Sequence, residues 1–146
     1  MEMLTLPESV HEAMRAHAEE AFPGECCGAL LGTRDGDGWR VTMAPRASNA
    51  RGSESRSTYA IAPEELVDLD REARQRGLEI AGFYHSHPDH EAHWSATDLA
   101  GAHWIGCCYV ITSVRQGRAA ETRAFLLAGT REEDKRFEEV PLRLAP

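Results

Sequence analysis

Between Pro7 and about Phe22 the apolar residues Val10, Met14, Ala18 and Ala21 recur at helical spacing. Pro7 suits a first turn, so the pattern predicts a helix ending near Pro23-Gly24. The period then shortens. Cys26 to Gly32 is a short apolar run, Asp35-Gly36-Asp37-Gly38 is a turn, and Trp39 to Ala44 resumes strand character, which together predict a hairpin. Ser48 to Ser57 is polar, contains glycine and has no period, so it reads as a mobile loop leading to a short strand, Thr58 to Ile61. A second helix is expected from Pro63 to Gly77, with acidic Glu64 and Glu65 in its first turn and Leu66, Leu69 and Ala73 on one face.

Leu78 to Ser86 reads as a central strand. Past a histidine-rich turn, Ser95 to about His103 is expected to be helical. Cys107 to Val114 is the most strand-like run of the chain, and Ala120 to Leu127 pairs with it across Arg115-Gln116-Gly117. Phe137 to Leu144 reads as an edge strand. Helices and strands in this mixed order predict an α/β fold, a layered α-β-α sandwich around a mixed, mostly antiparallel sheet.

A length of 146 residues suits a single domain spanning 1–146 with one core. The formal charge of −8, with no stripe of lysine or arginine, argues against a nucleic-acid partner, because phosphate contacts need a basic face. No apolar run approaches the roughly 20 residues that cross a bilayer. The stretch MEMLTLPESVHEAM carries acid where a secretory leader carries base, so the expected location is the cytoplasm. Cys26-Cys27 and Cys107-Cys108 are adjacent pairs whose members point to opposite faces of a strand, unlike a C-x-x-C metal or redox spacing, and are expected to be buried thiols.

Chemistry concentrates in HSHPDHEAHWSATD, from His85 to Asp98. Two histidines two apart on a strand project from one face, where both imidazoles can meet one tetrahedral ion. Pro88 cannot continue a central strand and forces a turn, which can bring back a third ligand, Asp98. Two imidazoles and a carboxylate leave zinc an open position, the ligand count of a catalytic site. Zinc there lowers the pKa of a water to about 7 and polarises a carbonyl.

H-x-H-P, six residues, then S-x-x-D, at His85, His87, Pro88, Ser95 and Asp98, resembles the JAMM motif of MPN+ metallopeptidases. The family also has a glutamate before a small apolar strand, and here Glu25 precedes CCGALLG. The resemblance implies one zinc ion per chain on His85, His87 and Asp98, and Glu25 as general base and acid. It implies further that Ser95 donates to the developing oxyanion, and that the layering is like that of cytidine deaminases. GFYHSHPDH, SATDLAGA and CYVITSV look like compact bacterial members. Trp94 stands where the family usually has proline.

Simpler readings exist for several residues. His11, His17 and His103 read as polar surface residues, and His90 and His93 as solvated turn residues. S-x-x-D before a helix is also a capping box, a role compatible with chemistry. The resemblance implies hydrolysis of an amide bond after the C-terminal Gly-Gly of a ubiquitin-like or sulfur-carrier protein. A non-catalytic MPN scaffold is the alternative. A zinc deaminase is disfavoured because H-x-E and P-C-x-x-C are absent. Glycine passes a narrow groove and can add a strand to an exposed edge. The expected walls are Thr58 to Ile61 and the turn Asp89 to Trp94, with Ser48 to Ser57 closing over the tail and Arg51 and Arg56 facing the carrier.

Overall fold

The computed structural model describes residues 3–146, so Met1 and Glu2 of the acidic N-terminal stretch lie outside the described residues. The elements are β1 (Leu4–Pro7), α1 (Glu8–Ala21), β2 (Cys27–Asp35), β3 (Gly38–Met43), β4 (Arg46–Ala47), α2 (Pro63–Gln75), β5 (Glu79–Pro88), α3 (Ala96–Gly101), β6 (Cys108–Arg115), β7 (Arg118–Ala128), β8 (Arg136–Val140) and β9 (Leu142–Ala145). Their sheet runs β8-β7-β6-β5-β2-β3-β1-β9, with β4 on β2. β5 is central, antiparallel to β2 and parallel to β6. It is buried from Ile80 to Pro88, as expected of a strand covered on both faces.

Alternation along the strands sorts the side chains into two layers. Leu30, Tyr84, Val110 and Ala124 pack with Met14 and Ala18 of α1. Ala29, Leu31, Phe83 and Tyr109 pack with Leu69 and Ala73 of α2 and with Leu99 of α3. The α-β-α layering and the mixed, mostly antiparallel sheet are therefore as expected. The hairpin β6–β7 turns through Gln116 (φ 52) and Gly117 (φ 83), the two positive values a two-residue hairpin loop of this hand requires. All four cysteines are buried thiols.

Several expectations need correction. Thr58 to Ile61 is not a strand, because its bonds go to loop groups, the side chains of Asn49 and Ser55 and the Ala50 N–H, rather than to a ladder. Phe137 to Leu144 is not one edge strand but two strands at opposite edges, β8 on β7 and β9 parallel to β1, separated by Pro141 alone. Since one residue links the two edges, the sheet curls around α1, which contacts β1, β6, β7 and β9. β1 and β4, each too short to show a period, were not anticipated. The third helix stops at Gly101, short of His103. His11 and His17 are half-buried rather than surface residues, bonding Thr122 Oγ1 at 3.0 Å and the Tyr84 hydroxyl at 2.7 Å. No helix among the described residues is long and apolar enough to cross a membrane.

Candidate metal centre

Phe83, His85 and His87 share one face of β5, so the two histidines open on the side of the sheet that carries α2 and α3. The β5–β6 ladder ends at Pro88, opposite Val114. Asp89 follows in the left-handed region (φ 55), its N–H donating to Val114 O at 2.6 Å and its carboxylate accepting from Gln116 N at 2.8 Å. This anchored turn brings the chain back to α3. Ser95 caps it: Asp98 N donates to Ser95 Oγ at 3.0 Å, and Ser95 N donates to Asp98 Oδ2 at 2.9 Å. At the other end Lys135 Nζ donates to the carbonyls of Ala100 and Ala102, so a six-residue helix is held at both ends.

Held in this way, Asp98 turns one oxygen to each imidazole. His85 Nε2 lies 3.1 Å from His87 Nε2 and 3.3 Å from Asp98 Oδ1, and His87 Nε2 lies 3.0 Å from Asp98 Oδ2. Ligands roughly 2.0–2.1 Å from a tetrahedral ion are separated by roughly 3.3–3.4 Å, so these edges span about one ion. The donor chemistry fits as well. His87 Nδ1 bonds the carbonyl of Glu91 at 2.8 Å, so that nitrogen carries the proton and Nε2 presents a lone pair. Burial lowers the pKa of His85 and favours its neutral form. Burial opposes ionisation of Asp98, but hydrogen bonds from the protonated forms of His85 and His87 outweigh this and hold the carboxyl well below the usual range; a shared cation would stand where those protons lie. Two lone pairs and a carboxylate converging at 3 Å suit a shared cation.

Glu25 precedes β2 and is 3% exposed. Its Oε1 and His85 Nδ1 are buried without a hydrogen-bond partner among the described residues. An unpartnered buried carboxylate oxygen is costly, and burial pushes this carboxyl up to about 8. Glu25 lines an open cleft of about 550 Å³ with His87, His90, His93, Trp94 and Ser95. A separate groove of about 300 Å³ borders Asp98 and is walled by Tyr59, Ile61, Leu66, Phe83 and Trp104. His103 also borders this groove and pairs with Glu132 at 3.3 Å. The five residues singled out by spacing and resemblance therefore gather at one place.

Residues 7–128 match the family model for prokaryotic homologs of the JAB domain. The chain belongs to this family. The JAMM resemblance read from the motif is thereby borne out. Among similar proteins, the desampylase of Haloferax volcanii is 38% identical over 114 residues, covering 75% of this chain and 80% of that protein. The CysO-cysteine peptidase of Mycobacterium tuberculosis is 29% identical over 123 residues, 84% of this chain and 82% of that one. A solution structure of a protein from Desulfitobacterium hafniense superposes with a TM-score of 0.79 at 30% identity, covering 98% of this chain and 94% of that chain. Another, from Salinibacter ruber, gives 0.71 at 39% identity, covering 99% and 93%.

Three neighbours of the site escaped the sequence reading. Tyr59 stacks on His85, with ring centroids 4.4 Å apart and planes at 23°. Ser86 Oγ accepts from Cys26 N at 2.9 Å and pins the start of β2 to β5. Asn49 donates to the carbonyls of Glu25 (3.3 Å) and Thr58 (3.1 Å) and accepts from Arg51 N and Ala60 N, so the loop expected to be mobile is cross-linked to Glu25. An asparagine in a polar loop is a known organiser of local backbone. That residue type was the only signal.

Proposed function

We propose that this chain is a zinc-dependent peptidase or isopeptidase that hydrolyses the amide bond after the C-terminal Gly-Gly of a ubiquitin-like or sulfur-carrier protein. The observation that carries the reading is the triangle of His85, His87 and Asp98, with an unpartnered carboxylate oxygen of Glu25 buried nearby. His85, His87 and Asp98 hold one zinc ion, which when bound lowers the pKa of a water and polarises the scissile carbonyl. Glu25 takes a proton from the attacking water and passes it to the departing amine, a task suited by a buried carboxylate oxygen that has no other hydrogen-bond partner among the described residues. Ser95 Oγ accepts from Asp98 N with a lone pair and keeps its own proton for the oxyanion that develops on the acyl oxygen.

The carrier tail occupies the groove beside Asp98. Support comes from the segment 58–61, where the backbone bonds fall on Thr58 and Ala60 and leave the N–H and C=O of Tyr59 and Ile61 unpaired among the described residues. An extended tail can pair with those groups as an added strand. Phe83, Trp104 and Leu66 close around it and favour residues without side chains. The names of the two relatives, a desampylase and a CysO-cysteine peptidase, support the same substrate class.

The test is incubation of the zinc-reconstituted protein with small carriers bearing Gly-Gly or Gly-Val before the scissile bond, followed by mass spectrometry. Cleavage after Gly-Gly, and loss of most of it with Gly-Val, is expected. Equal rates for the two tails would show a different substrate class. Failure to take up zinc would favour the MPN scaffold.

A further inference from the structure

Arg51 and Arg56, on the same loop, do not face the same space. Arg51 lines the groove beside Asp98, whereas Arg56 lines the cleft with Glu25, His87 and Ser95. This placement matters for the leaving group. On the peptidase reading above, on which this inference rests, Glu25 hands its proton to the departing amine, so the leaving group lies in the cleft that Glu25 lines. Water adds its oxygen to the acyl carbon, the C–N bond breaks, and the amine departs with the second proton.

Arg56 is available to that leaving group. Its ion pair with Asp89 is long, 3.7 Å, and both side chains are about half exposed, at 58% and 45%, so solvent weakens it. Asp89 is also anchored independently through Gln116 N. Arg56 can therefore exchange Asp89 for a ligand carboxylate, which a guanidinium binds through two parallel hydrogen bonds. His90 and His93 add ring N–H groups to the same cleft. Glu91, also on its wall, is exposed. A free α-amino acid carries its carboxylate one carbon from the amine that Glu25 protonates, whereas a lysine within a protein has its α-carboxyl tied up in a peptide bond.

We propose that Arg56 is the receptor for a carboxylate on the leaving group, and that the chain releases a single amino acid from the carrier in preference to a lysine-linked protein. The experiment uses the zinc-loaded protein and a carrier ending in Gly-Gly followed by one amino acid, as the free carboxylate or as the carboxamide. The wild type is expected to show kcat/KM about tenfold or more higher for the carboxylate, the ratio a charge-assisted contact supports. Arg56→Gln, at an exposed position that leaves the fold intact, is expected to bring that ratio close to one, chiefly through KM. A wild-type ratio near one, or a ratio unchanged in Arg56→Gln, overturns this inference while the peptidase reading stands. Cleavage of neither carrier overturns both.

Discussion

His85 and His87 sit on the central strand of the sheet, with β2 hydrogen-bonded on one side and β6 on the other. Glu25 sits just outside β2, where the ladder has not begun, and is held by single bonds reaching across the chain: its N–H to Ser55 O at 2.6 Å and its C=O from Asn49 at 3.3 Å. One half of the site is thus placed by secondary structure. The other is placed by a loop. A metal needs ligands fixed relative to each other within a fraction of an ångström, which strand geometry supplies at no extra cost. A proton carrier has to reach both water and amine, and a residue outside the ladder has the freedom to do so.

The widest separation between the halves comes from removing one member of each. Asp98→Ala deletes one of three proposed protein ligands, so zinc content and hydrolysis are both expected to collapse. Glu25→Gln keeps the shape but not the proton, so zinc is retained while turnover falls about 10²–10⁴-fold. Metal analysis beside steady-state kinetics reads both outcomes. Zinc loss in Glu25→Gln would make Glu25 a ligand, and unchanged zinc in Asp98→Ala would remove Asp98 from the set.

A second, smaller effect concerns stability of the metal-free protein. Burial raises the Glu25 carboxyl from 4.5 to about 8, so the fold favours its protonated form. The resulting stability is fully present below pH 4.5 and is lost as pH rises through about 8. Gln at this position is neutral throughout. The melting temperature of metal-free Glu25→Gln is therefore expected to rise above that of the wild type between pH 5 and 8, by roughly 2–4 kcal/mol in stability. Comparing the two proteins at each pH removes most of the contribution of His85 and Asp98, which both retain. A constant gap across this range would mean that Glu25 is solvated or paired.

The same division explains what could be read from the sequence. The face shared by His85 and His87 follows from a two-residue period, and Pro88 marks the end of the β5–β6 ladder. Ser95 and Asp98 announce themselves as a capping box. Glu25 was legible only through resemblance, because its approach to the triad is set by tertiary bonds between residues 24 or more positions apart. The extended segment Thr58 to Ile61 has the composition of a strand, yet its partners are the side chains of Asn49 and Ser55 and a single backbone contact from Ala50. The split of the C-terminal segment at Pro141 was likewise invisible, since it depends on the curl of the sheet bringing β1 to β9.

Asn49 allows the subtlest test, because it acts on the loop-held half without touching the proposed ligands. Its side chain joins Glu25, Thr58, Arg51 and Ala60, so Asn49→Ala strips a bond from the Glu25 carbonyl and leaves the Ala60 N–H without its acceptor. Glu25 keeps its bond to Ser55 and should shift only slightly. A small misplacement of a proton carrier is expected to lower kcat about tenfold, with zinc content unchanged. If Asn49 works by positioning Glu25, the loss should shrink sharply in a Glu25→Gln background, where no proton carrier remains to be misplaced. Full additivity of the two substitutions would instead put the effect of Asn49 in the groove wall, through Thr58 and Ala60, and it would then appear mainly in KM for the Gly-Gly tail.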